Sequence, residues 1–140
     1  MPFEHLDHAA DLGLRATGET EEEAFCEAAR GLFEVMVDLA AVQPVEEHVV
    51  RVEAESGEEL LVAWLSELLA QKELSGLVFS SCDVRISKRR DVLRLDGIAR
   101  GERLDRDRHD ARTEVKGISY LGLSVRGDPM GWLIECVLDV

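Results

Sequence analysis

This sequence lacks most of the features that identify membrane proteins and common enzymes. No apolar run approaches the ~18–20 residues of a membrane-spanning helix, and the N-terminus has no signal-peptide pattern, so a cytoplasmic protein with no membrane partner is expected. The three cysteines, Cys26, Cys82 and Cys136, are far apart in the chain and form no CxxC pair. An odd count of this kind argues against a disulfide framework. Each lies among apolar residues, where a free cysteine acts as a small hydrophobe. No GxSxG elbow, P-loop, GxGxxG or HExxH motif occurs, which removes the usual signatures of nucleophilic, nucleotide-binding and zinc chemistry. There is no repeat, linker or low-complexity segment.

Basic charge is scarce too. Lys and Arg total 16 against 29 Asp and Glu, a formal charge of −13. So acidic a surface repels phosphate backbones, and strong direct nucleic-acid binding is not expected. Cations and basic protein surfaces are the more natural partners. What is abundant is apolar surface: 46% of the 140 residues, enough to exclude disorder and to bury the core of one domain spanning 1–140.

The pattern along the chain is α+β. Pro2 to Leu6 reads as a short strand anchored by Phe3, and Leu12, Leu14 and Ala16 alternate along a half-buried strand that ends at Gly18. Thr20 is a helix N-cap, with Glu23 three positions on completing a capping box. Phe25, Ala28, Ala29, Leu32, Phe33, Met36 and Val37 then follow one helix face, which should stop near Asp38 to Ala41. Val49 to Ala54 is strand-like. Ser56 caps a second helix, again with a glutamate three positions later (Glu59), and Leu60, Leu61, Trp64, Leu65, Leu68 and Leu69 give it a broad apolar stripe ending before Gly76.

The second half is mostly β. Val78 to Ser87 alternates, Lys88 to Asp91 is a hairpin turn, and Leu93 and Leu95 lie on the returning strand. Glu102 to Arg112, a run of alternating charge around His109, reads as an exposed loop or short helical turn. Val115 to Tyr120 and Leu121 to Val125 are strand-like, Gly127 to Gly131 is a turn, and Trp132 to Val140 is apolar enough for a central strand. Two amphipathic helices packed on a mostly antiparallel or mixed β-sheet is the expected architecture.

The candidate chemistry is concentrated at the two ends. Glu4 to Gly13 (EHLDHAADLG) carries His5, Asp7, His8 and Asp11 within a few positions. Asp139 ends an otherwise apolar strand, and the α-carboxylate of Val140 adds another negative charge if the chain ends naturally there. If the sheet brought that end beside Asp11, the carboxylates would have to raise their pKa values or share a cation. An all-oxygen set of that kind suits Ca²⁺ or Mg²⁺. Residue spacing by itself favours a frayed, solvated terminus. His5 and His8, three apart, point to opposite faces of a strand and make a poor zinc pair. His48, at the start of a strand, should face solvent. Lys116 lies within a strand-like run, EVKGIS, where pairing with Glu114 accounts for it without invoking function.

Taken together, HAADLG, EEAFCEAARGLFEVMVD, LLVAWLSELL, TEVKGISYLGL and GWLIECVLDV resemble the archease family, in the same order and over essentially the whole chain. The resemblance implies an α+β protein that is not itself an enzyme. It would activate an RtcB-type GTP-dependent RNA ligase, promoting ligase guanylylation and multiple turnover in tRNA splicing or RNA repair. It implies a divalent-cation site (Ca²⁺ or Mg²⁺) on Asp11, Asp139 and the carboxylate of Val140, which reverses the preference for a frayed end. It also implies roles in ligase activation for Lys116, His8 and His109. One departure is Ala9, where the family pattern usually has Thr, so a hydroxyl that would orient the turn is missing. A general chaperone or scaffold for nucleic-acid enzymes, which would be indifferent to Asp11, Asp139 and Lys116, is an alternative. So is a metal-dependent hydrolase with intrinsic turnover.

Overall fold

Both helix starts expected from the sequence are formed in the structure, a computed structural model that describes residues 2–7 and 11–140. Helix α1 runs Glu21–Met36, and the Thr20 hydroxyl accepts the Glu23 N–H at 3.1 Å. The Glu23 carboxylate takes the N–H of Glu19 at 2.9 Å, so the box closes one residue earlier than the motif implies. Helix α2 runs Gly57–Ser75, with the Ser56 hydroxyl accepting the Glu59 N–H at 3.1 Å. It ends on Gly76 at φ 70°, a left-handed conformation that glycine adopts without steric cost.

The strands are β1 (Phe3–Asp7), β2 (Asp11–Gly18), β3 (Glu46–Ala54), β4 (Leu77–Arg89), β5 (Val92–Arg103), β6 (Gly117–Asp128) and β7 (Gly131–Asp139). Every pairing is antiparallel. The α+β class and the central place of the last strand are as expected, since β7 lies between β2 and β6. The number of layers is different. The strands form two sheets, ordered β1-β2-β7-β6 and β3-β5-β4, instead of one. α1 packs against β2 of the first sheet and β4 of the second, and α2 against β6 and β3, so the helices lie between the sheets. This explains why α2 buries Leu60, Leu61, Val62, Trp64, Leu65, Leu68 and Leu69, more of its circumference than contact with one sheet requires.

Local turns refine the sequence reading. The β4–β5 turn is only Arg90 and Asp91, with Arg90 at φ 59°, while Lys88 and Arg89 still pair with Leu93 and Val92. The two stretches read as separate strands before and after Leu121 are one strand, β6, whose register with β7 shifts between Ser119 and Ser124, with Gly122 at φ 73°. In β5, Gly101 sits against the irregularity of β4 between Phe79 and Ser81, where any Cβ would run into the carbonyl of Val78.

Trp64 joins the layers. It is wholly buried, rests against Gly97 of β5, and its indole N–H donates to the Phe25 carbonyl of α1 at 3.0 Å. Replacing it removes a large apolar surface and leaves a cavity between helix and sheet. Trp64→Ala is expected to destabilise by about 3–5 kcal/mol, and Trp64→Phe, which loses the N–H donor and part of the ring, by less. Urea denaturation checks this; a loss for the alanine variant of less than about 1 kcal/mol would contradict the role given to Trp64.

Candidate functional site

The antiparallel register of β2 with β7 places Asp11 directly opposite Asp139. Opposed residues of such a pair project to the same face with Cβ atoms about 4.5–5.5 Å apart. On this sheet Leu14, Ile134, Cys136 and Leu138 point inward and are buried, so Asp11 and Asp139 belong to the outer face. On the other side of β7, Gly117 of β6 is opposite Asp139, and a Cβ built there would have no neighbour within 4 Å. Among the described residues the carboxylate pair therefore borders open space on this side, without a third side chain from β6. Next to it, the Lys116 N–H donates to the Asp139 carbonyl at 2.7 Å, tying the approach to β6 to the end of β7.

Pairing of opposed carboxylates is unfavourable by itself. The donor set fits a hard cation, since both side chains offer only oxygen, and a third oxygen ligand would come from the α-carboxylate of Val140. Among the described residues no three His, Cys, Asp or Glu side chains gather as a metal cluster. His8 and Ala9 lie outside the described residues.

Lys116 is exposed just before β6 begins and makes no ion pair among the described residues, so the Glu114 pairing read from the sequence is not formed. It borders an open groove of about 510 Å³ together with Glu114, Ser66, Ala70 and Glu73.

Residues 104–112 form the exposed loop with a short turn that the sequence led one to expect, but two details of that reading change. Glu102 and Arg103 belong to β5, and His109 is wholly buried. Its Nδ1 accepts the Asp105 N–H at 2.9 Å. That fixes the tautomer, so Nε2 carries the proton and donates to Glu102 at 3.0 Å. Glu102 also accepts from the Arg108 guanidinium at 2.7 Å and the Gln43 N–H at 2.7 Å. These donors, Arg108 first, then Gln43 and the His109 ring, hold the Glu102 carboxyl well below the usual range, at about 2. Glu102, Asp105, Arg108 and His109 are engaged in this network and Arg112 pairs with Asp110, while Arg103, Arg106 and Asp107 face solvent. The same segment finishes α1, whose last turn has no basic residue: the Arg112 N–H donates to the Met36 carbonyl at 2.8 Å and its guanidinium to the Glu34 carbonyl at 3.1 Å. With both ring nitrogens engaged and no exposed surface, His109 positions this loop and offers nothing to a partner. His48 is corrected as well: it faces α2, half-buried, stacked on Phe79 and 3.4 Å from Glu67.

Among the described residues no helix is long and apolar enough to cross a membrane. The family model described as the archease protein family (MTH1598/TM1083) matches residues 3–140. The protein archease of Methanopyrus kandleri is 40% identical over 142 residues, covering 100% of both chains. That of Thermococcus gammatolerans is 44% identical and covers 99% of this chain and 98% of its own. The solution structure of Methanobacterium thermoautotrophicum protein 1598 has a TM-score of 0.87 and 34% identity, covering 99% of each chain.

The Glu102 network makes acid stability testable. Its folded pKa of about 2 lies below the ordinary value of 4.5. The carboxylate therefore stabilises the fold in full above about pH 4.5, and this contribution is lost as pH falls through that range towards 2. Glu102→Gln is expected to lower stability at neutral pH and to flatten the loss between pH 4.5 and 2. Thermal denaturation across that interval checks it; an unchanged acid slope would show that Glu102 does not carry it.

Proposed function

The chain belongs to the archease family, and on that premise we propose that it activates an RtcB-type GTP-dependent RNA ligase as a protein cofactor in the cytoplasm, promoting ligase guanylylation and multiple turnover in tRNA splicing or RNA repair. In this reading it is not an enzyme in its own right. The observation that supports it best is the register that sets Asp11 opposite Asp139 with Lys116 hydrogen-bonded to the same strand end.

Asp11, Asp139 and the α-carboxylate of Val140 would hold a divalent cation, Ca²⁺ or Mg²⁺, through oxygen alone. When bound, the ion would supply compensating positive charge between carboxylates that otherwise repel. Asp139 is exposed and Asp11 half-buried, so the pair is reachable from outside while the sheet holds its spacing. Lys116, which makes no ion pair among the described residues, would offer its ammonium on the adjoining segment to a phosphate or carboxylate of the ligase. The formal charge of −13 favours docking on a basic protein surface over direct binding of RNA. His8 keeps the role that the family resemblance implies. His109 acts at a distance, by fixing the loop that leads to Lys116.

The deciding experiment follows ligase–GMP formation by an RtcB-type ligase from the same source, with GTP and divalent ion, with and without this protein. Faster guanylylation and multiple turnover are expected; no effect with both proteins folded would overturn the activator reading. Asp139→Ala should abolish activation and leave the circular dichroism spectrum unchanged, and normal activation by that folded variant would remove Asp139 from the mechanism. A second readout is independent of the ligase. Without divalent ions, Asp139→Asn relieves the opposed charges and is expected to raise stability by up to about 1 kcal/mol. It should also cancel the rise in melting temperature that Ca²⁺ or Mg²⁺ gives the wild type. A wild type indifferent to both ions would count against the cation site.

A further inference from the structure

Sequence separation gives no reason to pair any two of the cysteines, but the fold does. Cys26 is on the second turn of α1 and Cys82 is on β4, just beyond its irregularity at Phe79 and Ser81. Because α1 packs along β4, the Cys26 thiol donates to the Cys82 carbonyl at 3.2 Å. That bond holds the Cys26 sulfur against the backbone of Cys82. Neither is wholly buried, and both line an open groove of about 1020 Å³ that runs past Glu22, Glu27 and Asp83 to the β6–β7 turn. Cys136 is different: it is buried under the four-stranded sheet, and burial pushes its thiol up to about 12.

We propose that Cys26 and Cys82 are a redox pair that a small-molecule disulfide converts to one intramolecular disulfide, stapling α1 to β4. The Cys26 thiolate attacks one sulfur of the small disulfide, breaking its S–S bond and releasing one small thiolate. The Cys82 sulfur, its proton lost to solvent, then attacks the Cys26 sulfur and releases the second. Two protein thiols give up two electrons and two protons; the small disulfide becomes two small thiols.

The order of the steps follows from the surroundings. Contact with the Cys26 thiol, then burial, and then the carboxylates of Glu27 and Asp83 push the Cys82 thiol far above the ordinary thiol range, so it stays protonated while Cys26 reacts. The acidic lining also makes a cationic disulfide such as cystamine a better oxidant than an anionic one. Once formed, the bond closes a loop that contains β3 and α2, and such closure restricts the unfolded chain. The groove adjoins Gly18 and Trp132, at the opposite end of the β2–β7 ladder from Asp11 and Asp139, so the inference is independent of the proposed cation site.

The test is to incubate the folded protein with excess cystamine, denature it, alkylate the remaining thiols and map the peptides by mass spectrometry. One alkylated thiol, Cys136, and one cross-linked pair of peptides carrying Cys26 and Cys82 are expected, with three thiols restored by dithiothreitol. Cys82→Ser should stop at a stable mixed disulfide on Cys26, and Cys136→Ser should form the cross-link as the wild type does. Three free thiols after treatment, a mixed disulfide that persists on wild-type Cys26, or a cross-link to Cys136 would overturn the proposal.

Discussion

The antiparallel pairing of β7 on both of its edges is the constraint on which the rest of the structure depends. One edge pairs with β2 from the start of the chain and the other with β6. With side chains alternating strictly between faces, burial of Ile134, Cys136 and Leu138 on the inner face commits Glu135 and Asp139 to the outer one. A slip of one residue would turn the apolar set outward. The same register that protects the core therefore presents the paired carboxylates, and the proposed site depends on the hydrophobic effect as much as on its own charges. Arg15, held between Glu4 at 2.8 Å and Glu135 at 3.1 Å, continues the polar outer face across three strands.

The second constraint is the position of the helices between two sheets. A helix covered on opposite sides has little solvent-facing surface, and its ends become the places where polar chemistry must be satisfied. The N-termini manage this locally, with Thr20 and Ser56. The C-terminus of α1 depends on Arg112, 78 residues from Glu34 along the chain. That dependence gives the charge-rich segment around His109 its order: Asp105, Arg108, His109 and Glu102 bond to one another while Arg112 caps the helix. The buried ring is a structural part of the path from β5 to β6, and so of the path to Lys116.

Much of this could be read from the residues. Capping boxes, helix faces, the alternation of β2 and β4 and the apolar length of β7 are local patterns, set by intrinsic backbone geometry and by burial of one face, and they appeared close to their observed bounds. The archease-like order of motifs pointed to the family, and the relatives at 40% and 44% identity show it. The sheet count was not legible, because periodicity reports that a face is covered without saying by how many layers. His109 looked exposed since its neighbours are charged; those neighbours are exposed, and the ring is buried among them by its bonds to Asp105 and Glu102.

The sequence alone determined most helix and strand segments and which apolar residues must leave water, since propensity, capping and hydrophobic period act over a few residues. Tertiary structure alone decided what meets across long separations. Asp11 meets Asp139 because two strands share a ladder. Cys26 meets Cys82 because a helix lies along β4. Arg112 reaches α1 because a loop returns to it. Such contacts are selected by the packing of the whole core, and no local pattern encodes them.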